Sequence, residues 1–139
     1  MADGVASELI SIVESMLQEQ QAVFAVRRPE GVFADWAPNP EAFDRAVQLI
    51  EAEREASVLY AVLALDGTLD VPVTLVINSY RRLIALGVQD PLTFVCYGHY
   101  LRLHGYDEEA ARVLDEVRDR AIAEHVWDPG VLHPPQGPT

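Results

Sequence analysis

Residues 53–90 and 91–128 repeat one pattern at an offset of 38 residues, and a repeat of that period confines a chain to architectures in which one supersecondary unit stacks on the next. Leu59 aligns with Tyr97, Leu63 with Leu101, Leu65 with Leu103, Gly67 with Gly105 and Val76 with Leu114. Val88-Gln89-Asp90-Pro91 aligns with Val126-Trp127-Asp128-Pro129. Around each glycine the apolar positions recur at threes and fours, the spacing of one face of an α-helix. Each copy therefore reads as helix, tight turn, helix, closed by an Asp-Pro pair, and the expected fold class is all-α.

The same periodicity extends upstream. Val5, Leu9, Ile12, Val13, Met16, Leu17, Val23 and Phe24 form an amphipathic stripe that stops at Arg27-Arg28-Pro29-Glu30-Gly31. Two arginines suit the negative end of a helix dipole, and Pro and Gly break the helix. In the loop that follows, Val32, Phe33 and Trp36 are expected to fold back onto the helices rather than stand in water. Asn39-Pro40-Glu41 is a helix start: Asn caps free amides, Pro fits the first turn, and Glu favours the positive end. The stripe Phe43, Val47, Ile50 is then diluted by Glu51, Glu53, Arg54 and Glu55, so a bend or break is expected around 51–55, with one continuous helix over 40–66 as the alternative. Val71 to Gly87 is dense in Val and Ile and so admits a strand, but its length, Pro72 near its start and Gly87 past its end favour a helix. Helices are expected at about 5–26, 40–54, 55–66, 72–86, 91–104 and 107–124, within one domain over 1–128. A Pro/Gly-rich tail over 129–139 is expected to be disordered.

A chain of 139 residues, half of them hydrophobic, suffices for one core and too little for two independent ones. It has no apolar run of the roughly 18 to 20 residues that a membrane-spanning helix needs, so no membrane association is expected. An acid at Asp3 stands where a secretory signal carries positive charge, and the lone Cys96 provides no disulfide framework. Both readings predict a cytoplasmic protein. The net charge is −12, divided as −7 over residues 1–60, neutral over 61–106 and −5 over 107–139. Nonspecific attraction to phosphate backbones needs the opposite sign, so nucleic acid is not an expected partner. All ten basic residues are arginine, a bias that suggests a GC-rich bacterial genome.

The second copy resembles a tetratricopeptide (TPR) motif. Gly98 stands where helix A of a TPR carries a small residue for close approach to helix B, Leu101 follows, Gly105 lies in the turn, and Ala110 takes the small position early in helix B, with Leu114 and Val117 on its buried stripe. The first copy departs from the pattern, with a β-branched second helix and a spacing longer than the family's usual one. A looser resemblance is to the TPR-like activation domains of bacterial transcription regulators. The resemblance covers about 76 residues and implies antiparallel helical hairpins stacked as a short right-handed array, the two N-terminal helices packing over its end. It further implies a groove lined by Ser57, Ala61 and Ala64 in the first unit and by Val95, His99 and Arg102 in the second. A peptide or a partner protein's helix is the implied ligand.

Chemistry is less well supported. Cys96 and His99 are three apart and can share a helix face, with His104 beyond them, but no further Cys or His falls at metal-ligand spacing. A nucleophilic Cys–His pair needs a thiolate-stabilising setting; the plainer expectation is a buried thiol and a polar histidine. Glu51-Glu53-Glu55 and Asp107-Glu108-Glu109 diverge around a helix axis instead of converging on a cleft, so they are expected to be solvated faces or helix-start charges. The sequence holds no Gly-rich phosphate loop, His-Glu-x-x-His or Gly-x-Ser-x-Gly. The expected function is thus noncatalytic protein–protein interaction or scaffolding, with no catalytic residue, metal or cofactor. Alternatives are a homodimer, a subunit of a homo-oligomer or transcription-regulatory complex, and an enzyme of unidentified class.

Overall fold

In the computed structural model the described residues are 2–25, 36–67 and 69–126. They form six helices: α1 (Ala2–Ala25), α2 (Pro40–Ala52), α3 (Ala56–Ala64), α4 (Val73–Ala85), α5 (Pro91–Leu103) and α6 (Asp107–Ala123). No strand occurs among the described residues. The Val/Ile-rich stretch is helix α4, where Leu75, Val76, Ser79 and Leu83 are buried at helical spacing. The tail expected over 129–139 and the apolar loop residues Val32 and Phe33 lie outside the described residues. Trp36 is half-buried.

Local chemistry accounts for several helix ends. The Asn39 carboxamide accepts from the amides of Glu41 (2.9 Å) and Ala42 (3.1 Å), a cap worth about 1 kcal/mol. Asp90 accepts from the Leu92 amide at the start of α5. At the end of α5, Gly105 adopts φ 87°, so that its amide donates to the Arg102 carbonyl and that of Tyr106 to the Leu101 carbonyl. This paired closure needs a left-handed residue, which glycine supplies without a Cβ clash. The end of α6 makes the same two bonds, His125 to Ile122 and Val126 to Ala121, with His125 at φ 59°. Gly67 behaves otherwise. Its φ is not left-handed, its amide donates to Leu69, and α3 has already ended at Ala64. The aligned glycines are therefore not equivalent: the α3–α4 connection spans residues 65–72, whereas 104–106 suffice between α5 and α6.

The chain divides into two compact units, residues 1–87 and 88–139. In the first, α1 and α4 each pack against both α2 and α3. Glu8 meets Arg45, and Ser15 and Glu19 border Asn39 and Ala42, so α2 runs back along α1. Asp70, just past α3, is bonded to Gln20 near the far end of α1, so α3 reverses the direction of α2. Arg82 late in α4 reaches Glu53 just past α2, so α4 reverses that of α3. The core is Leu9, Val13 and Met16 of α1, Ala46 and Ile50 of α2, Leu59 and Val62 of α3, and Leu75, Val76 and Leu83 of α4.

Among the buried polar side chains of this unit, Gln20 ties two of its elements together. Gln20 is 3% exposed; its Nε2 donates to the Asp70 carbonyl (3.0 Å) and its Oε1 accepts from the Asp70 amide (2.8 Å). A buried carboxamide with both ends paired meets the requirement that polar groups leaving water be bonded, and it fixes the α3–α4 loop to α1.

The interruption left open by the sequence is present: α2 and α3 are separate helices, with residues 53–55 between them. Glu53 is extended (φ −66°, ψ 134°). Its Oε2 accepts from the amides of Arg54 and Glu55, both at 3.0 Å, while its carbonyl accepts from Arg82 Nε at 2.6 Å. The expectation of a solvated carboxylate face is corrected at this residue, since Glu53 is 7% exposed.

The second unit is built on the α5–α6 hairpin, the most heavily packed helix pair among the described residues. A Cβ on Gly98 would sit 2.5 Å from Leu114 Cδ2 and closer still to Cγ, so glycine is what lets the two helices approach. Leu101, Ala110, Leu114, Val117 and Ala121 are buried. Tyr97, also buried, donates its hydroxyl to Glu109 Oε2 at 2.6 Å, and Arg120 Nη2 donates to the Gln89 carbonyl at 2.6 Å.

Candidate interaction surface

The six residues expected to line a groove fall three on α3 and three on α5. On α3, Ser57 and Ala64 are exposed and Ala61 is half-buried; their spacing of four and three keeps them on one side of the helix. Tyr60 stands beside them, partly exposed. On α5, His99 and Arg102 are half-buried, but Val95 is 3% exposed and belongs to the core. The apolar residues at the surface of α5 are ones that the groove assignment left out. Leu92 is exposed, and Leu103 is 79% exposed, the most exposed of the large apolar side chains described.

Leu92, Cys96, His99 and Leu103 are separated by four, three and four residues, the period of one helix face. Cys96 is exposed on that face, which corrects the expectation of a buried thiol. The sequence pattern concealed this stripe because α5 is apolar nearly all round. Pro91, Phe94, Val95, Tyr97 and Leu101 are buried, so hydrophobicity alone does not mark which apolar residues remain outside.

The electrostatics of this face do not favour nucleophilic chemistry. Partial burial pushes the Cys96 thiol above its ordinary pKa, and the Asp90 carboxylate raises it further. A thiolate nucleophile needs the opposite, a nearby positive charge that favours ionisation. His104, the third residue weighed as a ligand, is engaged with Tyr100, their ring centroids 4.3 Å apart. Among the described residues no group of three His, Cys, Asp or Glu side chains converges as a metal site. Asp107 and Glu108 are exposed in the first turn of α6, where carboxylates favour the helix dipole, and Glu109 holds the Tyr97 hydroxyl. No helix of the described residues is long and apolar enough to cross a membrane.

Three side chains that organise the structure were not singled out in the sequence. Gln20, Glu53 and Arg82 each bond a backbone group far along the chain or a local amide at a helix break. Only the dilution of the apolar stripe around 51–55 pointed toward one of them. No family model, no curated protein and no solved structure matches this chain.

Proposed function

We propose that the chain is a noncatalytic protein-interaction module, TPR-like in its hairpins and working in the bacterial cytoplasm, that binds an amphipathic helix of a partner protein. The observation that carries this reading is the α5 face: Leu92, Cys96, His99 and Leu103 follow one another at helical spacing and are exposed or half-buried. A partner helix presents its own apolar side chains at the same period, so the two faces can interdigitate. Arg102 borders the stripe, and a carboxylate on the partner would meet it through a charge-assisted hydrogen bond. The small residues Ser57, Ala61 and Ala64 of α3 offer a second helix face where a backbone can approach closely.

Partial burial and the Asp90 carboxylate raise the Cys96 pKa, which disfavours a thiol nucleophile. The test is capture of a partner from native lysate with wild-type protein, a Leu103→Asp variant and a His99→Ala/Arg102→Ala variant. Loss of the same partner from both variants, with helical circular dichroism unchanged, is the expected result. Equal recovery by all three proteins would remove α5 from the binding surface.

A further inference from the structure

The joint between α2 and α3 is unusual in its composition. Residues 51–56 read Glu-Ala-Glu-Arg-Glu-Ala, with no Pro, no Gly and no β-branched residue, and Ala, Glu and Arg are among the strongest helix formers. No residue there is a helix breaker, and the local contact at the break is that of the Glu53 carboxylate with the two amides that follow it. The interruption is held by one tertiary contact, Arg82 on the Glu53 carbonyl, together with the local bonds of the Glu53 carboxylate to the amides of Arg54 and Glu55. The closed joint is itself costly, because Glu53 Oε1 is buried with no protein hydrogen-bond partner. A local preference that contradicts the global fold marks a strained or functional place in a structure.

Geometry defines the alternative to this joint. α3 reverses the direction of α2, so continuing the helix through 53–55 would swing α1–α2 away from α3–α4. It would produce one rod over residues 40–64, about 37 Å long. The same move would break the Gln20–Asp70 pair, the Arg82–Glu53 bond and the α1–α3 and α2–α4 packing. A second copy in the same open form offers each of these surfaces in return, because exchange of identical elements remakes identical contacts. We propose that residues 53–55 are a hinge through which the α1–α2 segment exchanges between two copies of this chain, α2 and α3 fusing into one continuous helix in the dimer. The exchanged dimer keeps the closed monomer's core, gains helical residues at the hinge and returns the Glu53 carboxylate to water. Its cost is the entropy of association, so it is favoured at high protein concentration.

The test uses the full chain with Cys96→Ser and spin labels at Glu41→Cys and Ala64→Cys, both exposed positions, diluted into unlabelled protein. In the closed form the two labels lie at the same end of the first unit; in the fused helix they are roughly 35 Å apart. Glu53→Ala, which removes the buried carboxylate and installs the best helix former, is expected to raise the dimer fraction measured by light scattering at least tenfold, with the long distance appearing in the dimer peak. Arg54→Gly/Glu55→Gly, which disfavours helix at the hinge in both chains, is expected to lower dimerisation by a hundredfold or more, on the order expected for four glycines per dimer. If Glu53→Ala does not fold, wild type and the glycine variant decide the matter after refolding at high concentration. A wild-type dimer with the long distance, lost in the glycine variant, supports the exchange. A wild type that stays monomeric, or a dimer lacking the long distance, overturns it.

Discussion

Replacing Gly98 by alanine sets two opposed terms against each other. Gly98 lies inside α5, where alanine is intrinsically better than glycine by about 1 kcal/mol. The added methyl, however, would stand 2.5 Å from Leu114 Cδ2 and nearer to Cγ, far inside van der Waals contact. Leu114 is buried, and its Cγ is not a free end that can swing aside, so α6 or the Leu114 rotamer must shift. Overpacking of this kind costs typically about 1–3 kcal/mol. Because the approach is well below any normal carbon–carbon distance, the upper part of that range applies, and Gly98→Ala is expected to destabilise the protein by about 1–2 kcal/mol net.

The same reasoning reverses the sign when Leu114 is removed. Leu114→Ala alone is expected to cost about 2–5 kcal/mol through lost burial and the cavity left behind. In that background the methyl introduced by Gly98→Ala meets no Leu114 side chain and fills part of the cavity, leaving the propensity gain of about 1 kcal/mol. The double-mutant cycle should therefore show a coupling of about 2–3 kcal/mol, well beyond the few tenths expected of independent sites. Urea unfolding followed by circular dichroism of the four proteins supplies the cycle. A neutral or stabilising Gly98→Ala in the wild-type background, or a coupling below about 0.5 kcal/mol, would refute the claim that glycine is there to admit α6.

Further outcomes follow from single contacts. Gln20→Ala leaves the Asp70 amide and carbonyl without their partners and should cost about 2–3 kcal/mol; hydrogen exchange should accelerate most at the Asp70 amide. His125→Gly should raise stability by about 1 kcal/mol, because His125 holds a left-handed φ of 59° that costs an L-residue but not glycine, and thermal unfolding reads the gain. Arg45 Nε and Nη2 grip the Glu8 carboxylate at 2.7 and 3.1 Å and, chiefly through that hydrogen bond, hold its pKa below the ordinary value. A depressed folded pKa makes the contribution present above the unfolded pKa and lost as pH falls through the folded one. The stability difference between wild type and Glu8→Gln should thus appear at neutral pH, shrink below the usual carboxylate range, and fall with added salt, since the pair is exposed.

Which features were legible depended on how far their causes lie along the chain. Asn39-Pro40, Asp90-Pro91 and Gly105 act on amides or carbonyls within a few residues, so the start of α2 and both ends of α5 can be read from the letters alone. Helical periodicity is equally local, and it correctly favoured helix for the Val/Ile-rich α4. Gly67 shows the limit of such reading: it aligns with Gly105, yet it makes no left-handed closure, and α3 and α4 are joined by a longer connection. Val95 shows it again, since on a helix that is apolar nearly all round only the packing decides that Val95 is covered while Leu103 is left in solvent. The break at 53–55 was only hinted at by the diluted apolar stripe, and its one long-range hold belongs to the tertiary level. A run of strong helix formers is held out of a helix in part by Arg82, 29 residues away, and no local propensity can encode a contact at that distance.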